Sequence, residues 1–350
     1  MILTRRWTLL AALGTVTLLG ATGCAASDAS APAPATEAST PSGSITVYNA
    51  QHEELTQAWA DEFTAETGVT VTLRNGSDSE LGNQLVQEGT ASKADVFLTE
   101  NSPAISLVDR AGLFAPVDKA TLAQVPEQYR PSTGMWTGIA ARSTVFAYNP
   151  SLLGEGELPA SLLDLADPAW AGRWAASPSG ADFQAIVSAL LELEGEDATR
   201  DWLAAMKENA VVYKGNSTVM KAVNAGEIPA GVIYHYYWFG DQAGTGENSA
   251  STQMHYFKNQ DPGAFVSVSG GGVLETSANP VAAQAFLAYI TGKGGQEILK
   301  TGTSFEYPVS DSVDANPALV PLSELNAPVI DPSKLNSTKV TDLMTEAGFL

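Results

Sequence analysis

Short apolar segments with the period of a β-strand alternate with longer segments of helical period through the first third of the chain. Leu55 and Trp59, for example, lie four residues apart, as on one face of a helix. The patterns predict strands at 45–48, 69–73 and 94–98, followed by helices that end near Gly68, Gly89 and Gly112 respectively. A β-α-β-α-β-α order with short connections is typical of a parallel sheet covered by helices.

A second series of the same kind follows later in the chain. The patterns predict helices at 181–193, 196–208 and 216–226, strands at 211–213 and 229–234, and an amphipathic helix that opens at Asn279-Pro280. No glycine-rich phosphate-binding sequence follows the first strand, so nothing supports a nucleotide site there. Two α/β units without a catalytic signature predict a hinged, two-lobed clamp.

The first residues have the order of a secretory signal peptide. Arg5 and Arg6 form a basic start, residues 7–20 form an uncharged apolar run, and three small residues precede Cys24. The apolar run is shorter than the roughly 20 residues of a membrane-spanning helix. Cys24 is the only cysteine in 350 residues, which excludes an internal disulfide. The ending resembles a lipobox and predicts a signal peptide at 1–24 with acylation of Cys24; the alternative is an incidental cysteine in an apolar segment.

Residues 25–44 are small, polar and rich in proline, so they have almost nothing to bury. We predict a disordered tether that holds the globular body away from a membrane surface. The remaining residues contain no apolar run long enough to span a bilayer. Without Arg5 and Arg6 the chain has 16 basic against 39 acidic residues, a net charge of −23. This charge argues against nucleic acid as a partner and favours a cationic or metal cargo.

Side chains that bind metals follow several of the predicted strands. His52 lies just after the first strand, Glu100 just after the third, and Tyr236-Tyr237 after the strand at 229–234. Open parallel sheets bind ligands outside the carboxyl ends of their strands, so His52 and Glu100 should face one crevice. Ferric iron prefers anionic oxygen ligands and accepts imidazole. A tyrosine, with a pKa near 10, must lose its proton to bind a metal.

Each of these residues also has a purely structural interpretation. A histidine after a strand is commonly solvent-facing or a cap, and a glutamate before a helix N-terminus interacts favourably with the helix dipole. The aromatic run at 234–239 would ordinarily be core or a stacking platform. His235, within this run, is expected to point away from its neighbours along the strand. Spacing by itself therefore leaves the iron site open.

Four short segments stand in a fixed order along the chain: YNAQH at 48–52, ADVF at 94–97 leading into Glu100, YYW at 236–238 and EYP at 306–308. They resemble the bacterial ferric-ion-binding proteins, the transferrin-like solute-binding subunits of iron ABC importers, over 44–350. The resemblance implies a type II periplasmic-binding-protein clamp of class α/β, each lobe a mixed sheet flanked by helices. The implied lobes are 45–140 with about 268–315, and about 141–267 with 316–350.

The resemblance also implies roles for individual residues. The iron ligands of the family fall on His52, Glu100, Tyr236 and Tyr237. A synergistic anion such as phosphate or carbonate would complete the coordination, and its pocket falls on Ser179, Gly180, Ala181 and Asn216. Residues 179–181 open a helix, where free N–H groups and the dipole favour an anion. The family further implies a monomer that delivers Fe³⁺ to an ABC permease and is anchored outside the cell membrane by lipid.

Two other functions are compatible with the sequence. The same clamp could hold an organic cation, a polyamine or a sugar, with Trp238 and the neighbouring tyrosines as a stacking surface. A metal-dependent hydrolase would need an open coordination position with a general base beside it. The chain contains no H-E-x-x-H, no G-x-S-x-G and no cysteine nucleophile, so the sequence predicts a binding protein and not an enzyme.

Overall fold

The computed structural model describes residues 40–350. The predicted signal peptide at 1–24, its acylated Cys24 and the tether up to residue 39 lie outside the described residues. At the end of the predicted tether, Asn279 Nδ2 donates hydrogen bonds to the carbonyls of Ser42 and Ser44, and the first strand already begins at Ser44. Within 40–350, no helix has both the length and the apolar character needed to cross a bilayer.

The described chain alternates between strands and helices. The strands are β1 (Ser44–Asn49), β2 (Thr70–Asn75), β3 (Val96–Leu98), β4 (Thr137–Tyr148), β5 (Trp174–Ala176), β6 (Ala210–Val212), β7 (Ala230–Tyr234), β8 (Gln253–His255) and β9 (Val266–Val273). The α-helices are α1 (Glu53–Thr67), α2 (Asp78–Glu88), α3 (Ser102–Arg110), α4 (Lys119–Leu122), α5 (Ala181–Glu194), α6 (Glu196–Asn209), α7 (Asn216–Asn224), α8 (His235–Ala243), α9 (Pro280–Thr291), α10 (Lys293–Thr301) and α11 (Ser337–Glu346). The strands and helices predicted for both halves are confirmed, with ends shifted by one or two residues.

Four strands in the order β2-β1-β3-β9 form the sheet of what we call the first lobe. β1 pairs in parallel with β2 and β3, as the alternation of strands and helices predicted, and β9 joins β3 in the antiparallel sense. Helices α1 and α9 cover this sheet, and their side chains Trp59, Phe63 and Phe286 are almost wholly buried between the layers. Burial of such large apolar side chains is the main favourable contribution to folding.

The second lobe repeats this arrangement. Its strands have the order β4-β7-β5-β6, with β5 parallel to β6 and β7, and β4 antiparallel to β7. β5, β6 and β7 thus take the places that β1, β2 and β3 have in the first lobe. A separate group of buried side chains, which includes Phe146, Trp174, Phe183 and Trp202, forms the core of this lobe.

Two strands that the sequence patterns did not predict join the lobes. In β4, residues 137–143 pair with β9 and residues 144–148 pair with β7, so this strand passes from one sheet to the other. All of β4 is buried. A strand buried on both faces lacks the alternation of apolar and polar residues that marks a half-exposed strand. In β9 the run Gly270-Gly271-Gly272 interrupts any apolar pattern, although it lies inside the strand.

The segment 316–350 contacts elements of both lobes. Ser106 Oγ and Arg110 Nη1, both on α3, donate hydrogen bonds to the carbonyls of Pro332 and Leu335. Helix α11 packs against α5 of the second lobe and also against α3. The lobe boundaries stated above remain a prediction.

Candidate metal centre

The predicted ligands reach one site from the ends of three strands. His52 follows β1 and directly precedes α1, Glu100 follows β3, and Tyr236 and Tyr237 lie in the first turn of α8, directly after β7. The ring centroids of His52 and Tyr236 are 5.0 Å apart, although the two residues belong to different lobes. The structure therefore brings all four predicted side chains together.

The distances between the nitrogen and oxygen atoms of these side chains are similar to those between adjacent ligand atoms of a metal ion. His52 Nε2 lies 3.3 Å from Glu100 Oε1, and that oxygen lies 3.2 Å from the Tyr236 hydroxyl. With bonds of about 2.1 Å, adjacent ligand atoms of an octahedral metal site are about 3.0 Å apart and opposite ones about 4.2 Å. The donor atoms of these three side chains are thus spaced as neighbours around one six-coordinate ion.

Asp182 is a further candidate ligand that the sequence analysis missed. Its Oδ2 accepts hydrogen bonds from the hydroxyls of Tyr236 and Tyr237, both at 3.1 Å. Its carboxylate also accepts hydrogen bonds from Asn101 Nδ2 at 3.0 Å and Asn216 Nδ2 at 2.8 Å. Asp182, and Tyr237 through it, therefore extend the series of closely spaced atoms from three side chains to five.

The rule that found His52 also locates Asp182. His52 follows β1, the central parallel strand of the first lobe, and Asp182 follows β5, which has the equivalent place in the second lobe. β5 has only three residues, and the sequence patterns did not identify it as a strand. Without β5, the carboxyl end that presents Asp182 could not be recognised.

The residues predicted to bind an anion surround this carboxylate only in part. Asn216 is buried and directs its amide to Asp182, whereas Ser179 is exposed. Gly180 occupies the N-cap position of α5 and Ala181 is the first residue of that helix. Asp182 thus contacts one residue, Asn216, of the anion pocket that the resemblance implied.

A buried ion pair forms the floor of the site. Arg142 on β4 and Glu306, from the EYP segment, are both fully buried, and Arg142 Nη2 donates a hydrogen bond to Glu306 Oε1. The Arg142 guanidinium carbon lies 5.6 Å from the centroid of the Tyr236 ring, and Glu306 Oε2 lies 3.9 Å from His52 Nε2. The pair thus lies next to predicted ligands from both lobes.

Gln51 fixes His52 on this floor. The side-chain oxygen Oε1 of Gln51 accepts a hydrogen bond from the backbone N–H of His52 at 2.7 Å. Its amide nitrogen donates to Ser269 Oγ at 2.8 Å and to Glu306 Oε1 at 3.3 Å. Groups that hold a ligand in this way set its orientation toward a metal.

Burial and neighbouring charges oppose ionisation of the phenols. Burial, and then the charges of Asp182 and Glu100, raise the pKa of Tyr236 and the pKa of Tyr237 well above the usual range. Burial and the nearby Arg142 lower the pKa of His52 to about 4, so its imidazole is neutral and able to bind a metal at pH 7. A strong positive charge would have to replace the two phenolic protons.

Asp78 holds the turn that presents Glu100. Its two carboxylate oxygens accept hydrogen bonds from the backbone N–H groups of Glu100 and Asn101, each at 2.9 Å. Asn101 lies at the N-cap position of α3 without capping it by its side chain, which is directed across to Asp182. Ser102 is the first helical residue, and its hydroxyl donates to the carbonyl of Val268.

His235 lies in α8 and not on the preceding strand, so the expectation about its position was wrong. Both nitrogens of its ring contact backbone groups, those of Ser143 and Phe305, and not the predicted ligands. Burial lowers its pKa to about 3, which keeps the imidazole neutral.

A metal ion bound at this site would need the phenol oxygens of Tyr236 and Tyr237 as well as the other side chains. Among residues 40–350, no three His, Cys, Asp or Glu side chains group closely enough to hold a metal by themselves. The Tyr236 and Tyr237 rings stack on each other with centroids 4.4 Å apart, and both hydroxyls face the Asp182 carboxylate. A cleft of about 850 Å³ leads to the site, lined by His52, Glu53, Glu54, Lys221, Tyr236, Tyr237 and neighbouring residues. The arrangement presents oxygen atoms to a ligand and not the aromatic faces that an organic cation or sugar would use.

Comparison with known proteins gives consistent matches over most of the chain. The family model described as bacterial extracellular solute-binding protein matches residues 91–333. The Fe(3+)-binding periplasmic protein of Serratia marcescens is 68% identical over 306 residues, which are 87% of this chain and 90% of that protein. The major ferric iron-binding protein of Neisseria meningitidis serogroup B is 35% identical over 90% of this chain and 96% of its own length.

Solved structures match over a similar range. Iron-bound HitA from Pseudomonas aeruginosa is 40% identical, with a TM-score of 0.82 over 87% of this chain and 99% of its own. A Trichodesmium protein in complex with iron and citrate is 27% identical, with a TM-score of 0.78 over 88% of this chain. These matches confirm the predicted fold class, a two-lobed α/β clamp with a mixed sheet in each lobe.

Proposed function

This chain belongs to the bacterial extracellular solute-binding proteins, in the group that includes the ferric-ion-binding proteins, and we propose that it captures Fe³⁺ between its two lobes. One observation carries the proposal. Five donor atoms, from His52, Glu100, Tyr236, Asp182 and Tyr237, follow one another at 3.1–3.3 Å, the spacing of adjacent ligands around one ion.

The chemistry of these donors suits a hard trivalent cation. Two phenolates and the carboxylates of Glu100 and Asp182 supply four negative charges, and no sulfur ligand is present. Hard cations prefer oxygen ligands, whereas thiolates favour softer metals. Arg142 and Glu306 compensate each other beneath the site, so the excess negative charge faces the cargo.

We propose Asp182 as the fifth ligand, in the place that the family resemblance gave to a synergistic anion. Its support is the contact of one carboxylate oxygen with both phenol hydroxyls, at 3.1 Å each. A phosphate or carbonate bound near Ser179, Gly180, Ala181 and Asn216 is the alternative. The sixth position would then face the cleft.

Titration with ferric nitrilotriacetate tests the iron site. Iron bound by phenolate gives a visible charge-transfer band, and we expect this band in the wild type. Tyr236→Phe and Tyr237→Phe should each weaken the band and the affinity, whereas Tyr289→Phe, a change on the distant helix α9, should leave both intact. Wild-type colour and affinity in both site variants would contradict the ligand assignment.

Control of the buffer anion separates Asp182 from an external anion. We expect wild-type protein to bind iron equally well with and without phosphate and carbonate. Asp182→Ala should lose affinity and regain part of it when phosphate is added, because the anion can then enter the space of the carboxylate. A wild type that binds iron only with added phosphate or carbonate would favour the external anion.

We also propose delivery to an ABC permease from a lipid-anchored position outside the cell membrane. The support for the anchor is the sequence alone: a signal-peptide pattern that ends at the only cysteine, Cys24. Cys24→Ala should prevent incorporation of labelled fatty acid and release the protein from the membrane fraction. Equal labelling of this variant and the wild type would exclude Cys24 as the modified residue.

A further inference from the structure

His235 connects the helix that carries the two tyrosines to β4 and to the chain segment at Phe305. We propose that His235 is a positioning residue, which sets Tyr236 and Tyr237 for iron by fixing the first turn of α8 to the crossover of β4. The inference rests on the proposed iron site and adds a residue that does not itself touch the metal.

The hydrogen bonds of His235 define one tautomer of its ring. The carbonyl of Phe305 lies 2.8 Å from Nε2 and can only accept, so Nε2 carries the hydrogen and donates it. In the neutral ring Nδ1 then carries no hydrogen, and it accepts from the backbone N–H of Ser143 at 3.2 Å, with the Ser143 carbonyl oxygen at 3.3 Å. Because the ring is wholly buried, water cannot replace either bond without a change in packing.

Both backbone partners of His235 lie where the lobes are joined. Ser143 is the last residue of β4 that pairs with β9, and Thr144 is the first that pairs with β7. Phe305 belongs to a second segment at the same place, in which Tyr307 exchanges two backbone hydrogen bonds with Ala141 at 2.8 and 2.9 Å. The His235 ring also packs on the Tyr307 ring, with centroids 4.7 Å apart.

The backbone of Phe305 shows that this segment is held by its surroundings. Phe305 has a φ of 54°, in the left-handed region where residues other than glycine are uncommon. Such a conformation persists when neighbouring contacts fix it. The bond from His235 Nε2 is one of those contacts, and it orients the residue next to Glu306, which lies on the floor of the site.

These contacts link the relative orientation of the two lobes to the positions of the Tyr236 and Tyr237 side chains. Any rotation of the lobes about residues 143–144 must displace Ser143 or Phe305 relative to α8. His235 transmits this displacement to the next two residues, which are the proposed phenolate ligands. Groups that orient metal ligands commonly change metal affinity by about 10–100-fold when they are removed.

A set of substitutions separates the two bonds. His235→Leu removes both. His235→Asn keeps an oxygen near Nδ1 for the Ser143 N–H, and His235→Gln keeps an amide N–H near Nε2 for Phe305. The control is His255→Leu, because His255 lies in the same lobe and also hydrogen-bonds a backbone carbonyl, that of Pro159 at 2.9 Å. Iron affinity, the charge-transfer spectrum and the melting temperature are measured for each.

We expect His235→Leu to lower iron affinity tenfold or more and to shift the charge-transfer band. His235→Asn and His235→Gln should each restore part of both properties, and His255→Leu should match the wild type. If His235→Leu does not fold, the same measurements on His235→Asn and His235→Gln test the inference.

Two results would overturn the inference. One is a His235→Leu protein with the spectrum and affinity of the wild type. The other is that His235→Leu and His255→Leu lose affinity equally, in proportion to their fall in melting temperature and with no shift of the charge-transfer band. Such a result would indicate a general loss of stability. A wild type that gives no colour with iron would remove the proposed function as well, so the two failures are distinguishable.

Discussion

At the scale of single residues, the site combines phenols that resist ionisation with a cargo that promotes it. The pKa values of Tyr236 and Tyr237 are raised by burial and by two nearby carboxylates, so both phenols are protonated in the iron-free protein at neutral pH. A trivalent ion makes the phenolate form favourable. Each phenol that binds iron therefore releases a proton.

Iron binding should consequently weaken as the pH falls. Because two phenolic protons are released, the apparent affinity should rise by about two log units per pH unit between about pH 5 and 8. The imidazole of His52, with a pKa near 4, is already neutral in this range and does not add to the slope. Competition with a chelator of known pH dependence measures the affinity at each pH. The slope should fall to about one in Tyr237→Phe, and an unchanged slope would show that Tyr237 does not bind iron as phenolate.

At the scale of elements, short strands and turns present the ligands, and buried neighbours hold those turns. The turn after β3 is fixed from one side by Asp78 and from the other by β9, where Thr99 and Gly270 exchange hydrogen bonds at 2.8 and 3.2 Å. Gly270 packs closely against the side chains of Ile105 and Trp136. A Cβ atom at this position would lie 2.7 Å from Ile105 and 2.9 Å from Trp136.

Gly270→Ala should therefore destabilise the fold. Such overpacking of a buried position typically costs about 1–3 kcal/mol. Chemical denaturation of the iron-free protein measures the free energy of unfolding. Gly156→Ala is the matched control, because nothing lies within 4 Å of a Cβ at that position and its φ is negative. Equal stability of the two variants would contradict the close packing of β9.

Asp78 should affect iron without touching it. Asp78→Ala leaves the N–H groups of Glu100 and Asn101 without their acceptors, so the Glu100 turn loses its fixed position. We expect a loss of about 10–100-fold in iron affinity. Asp167→Ala removes a comparable carboxylate cap from an exposed turn far from the site and should leave iron affinity unchanged. If the two variants bind iron equally well, Asp78 does not position Glu100.

At the scale of the whole molecule, the proposed site is complete only when both lobes contribute. His52 and Glu100 follow strands of the first lobe, whereas Asp182, Tyr236 and Tyr237 follow strands of the second. The hydrogen bond from Asn101 to Asp182 also crosses between them. A ligand bound at such a place stabilises the folded form because the unfolded chain does not bind it.

Iron should accordingly raise the melting temperature. At a free iron concentration 100 times the dissociation constant, the stabilisation is about 2.7 kcal/mol. For a chain of this size we expect a rise of several degrees in calorimetry with ferric nitrilotriacetate. The double variant Tyr236→Phe/Tyr237→Phe should lose most of the rise, whereas Tyr289→Phe should keep it. A full rise in the double variant would place the stabilising iron elsewhere.

The alternation of strands and helices, the two α/β units and the side chains after β1, β3 and β7 could be predicted from sequence patterns. These are local patterns, since periodicity and strand ends are written in neighbouring residues. Only the tertiary structure revealed β4, β5 and β9, because a short or wholly buried strand has no alternating pattern. The contacts of Asp182, Arg142, Glu306 and His235 likewise appear only in the structure. The side-chain partners of Asp182 lie 34 or more residues away, and the buried ion pair joins residues 164 positions apart. The contacts of such residues arise only when the two sheets are joined.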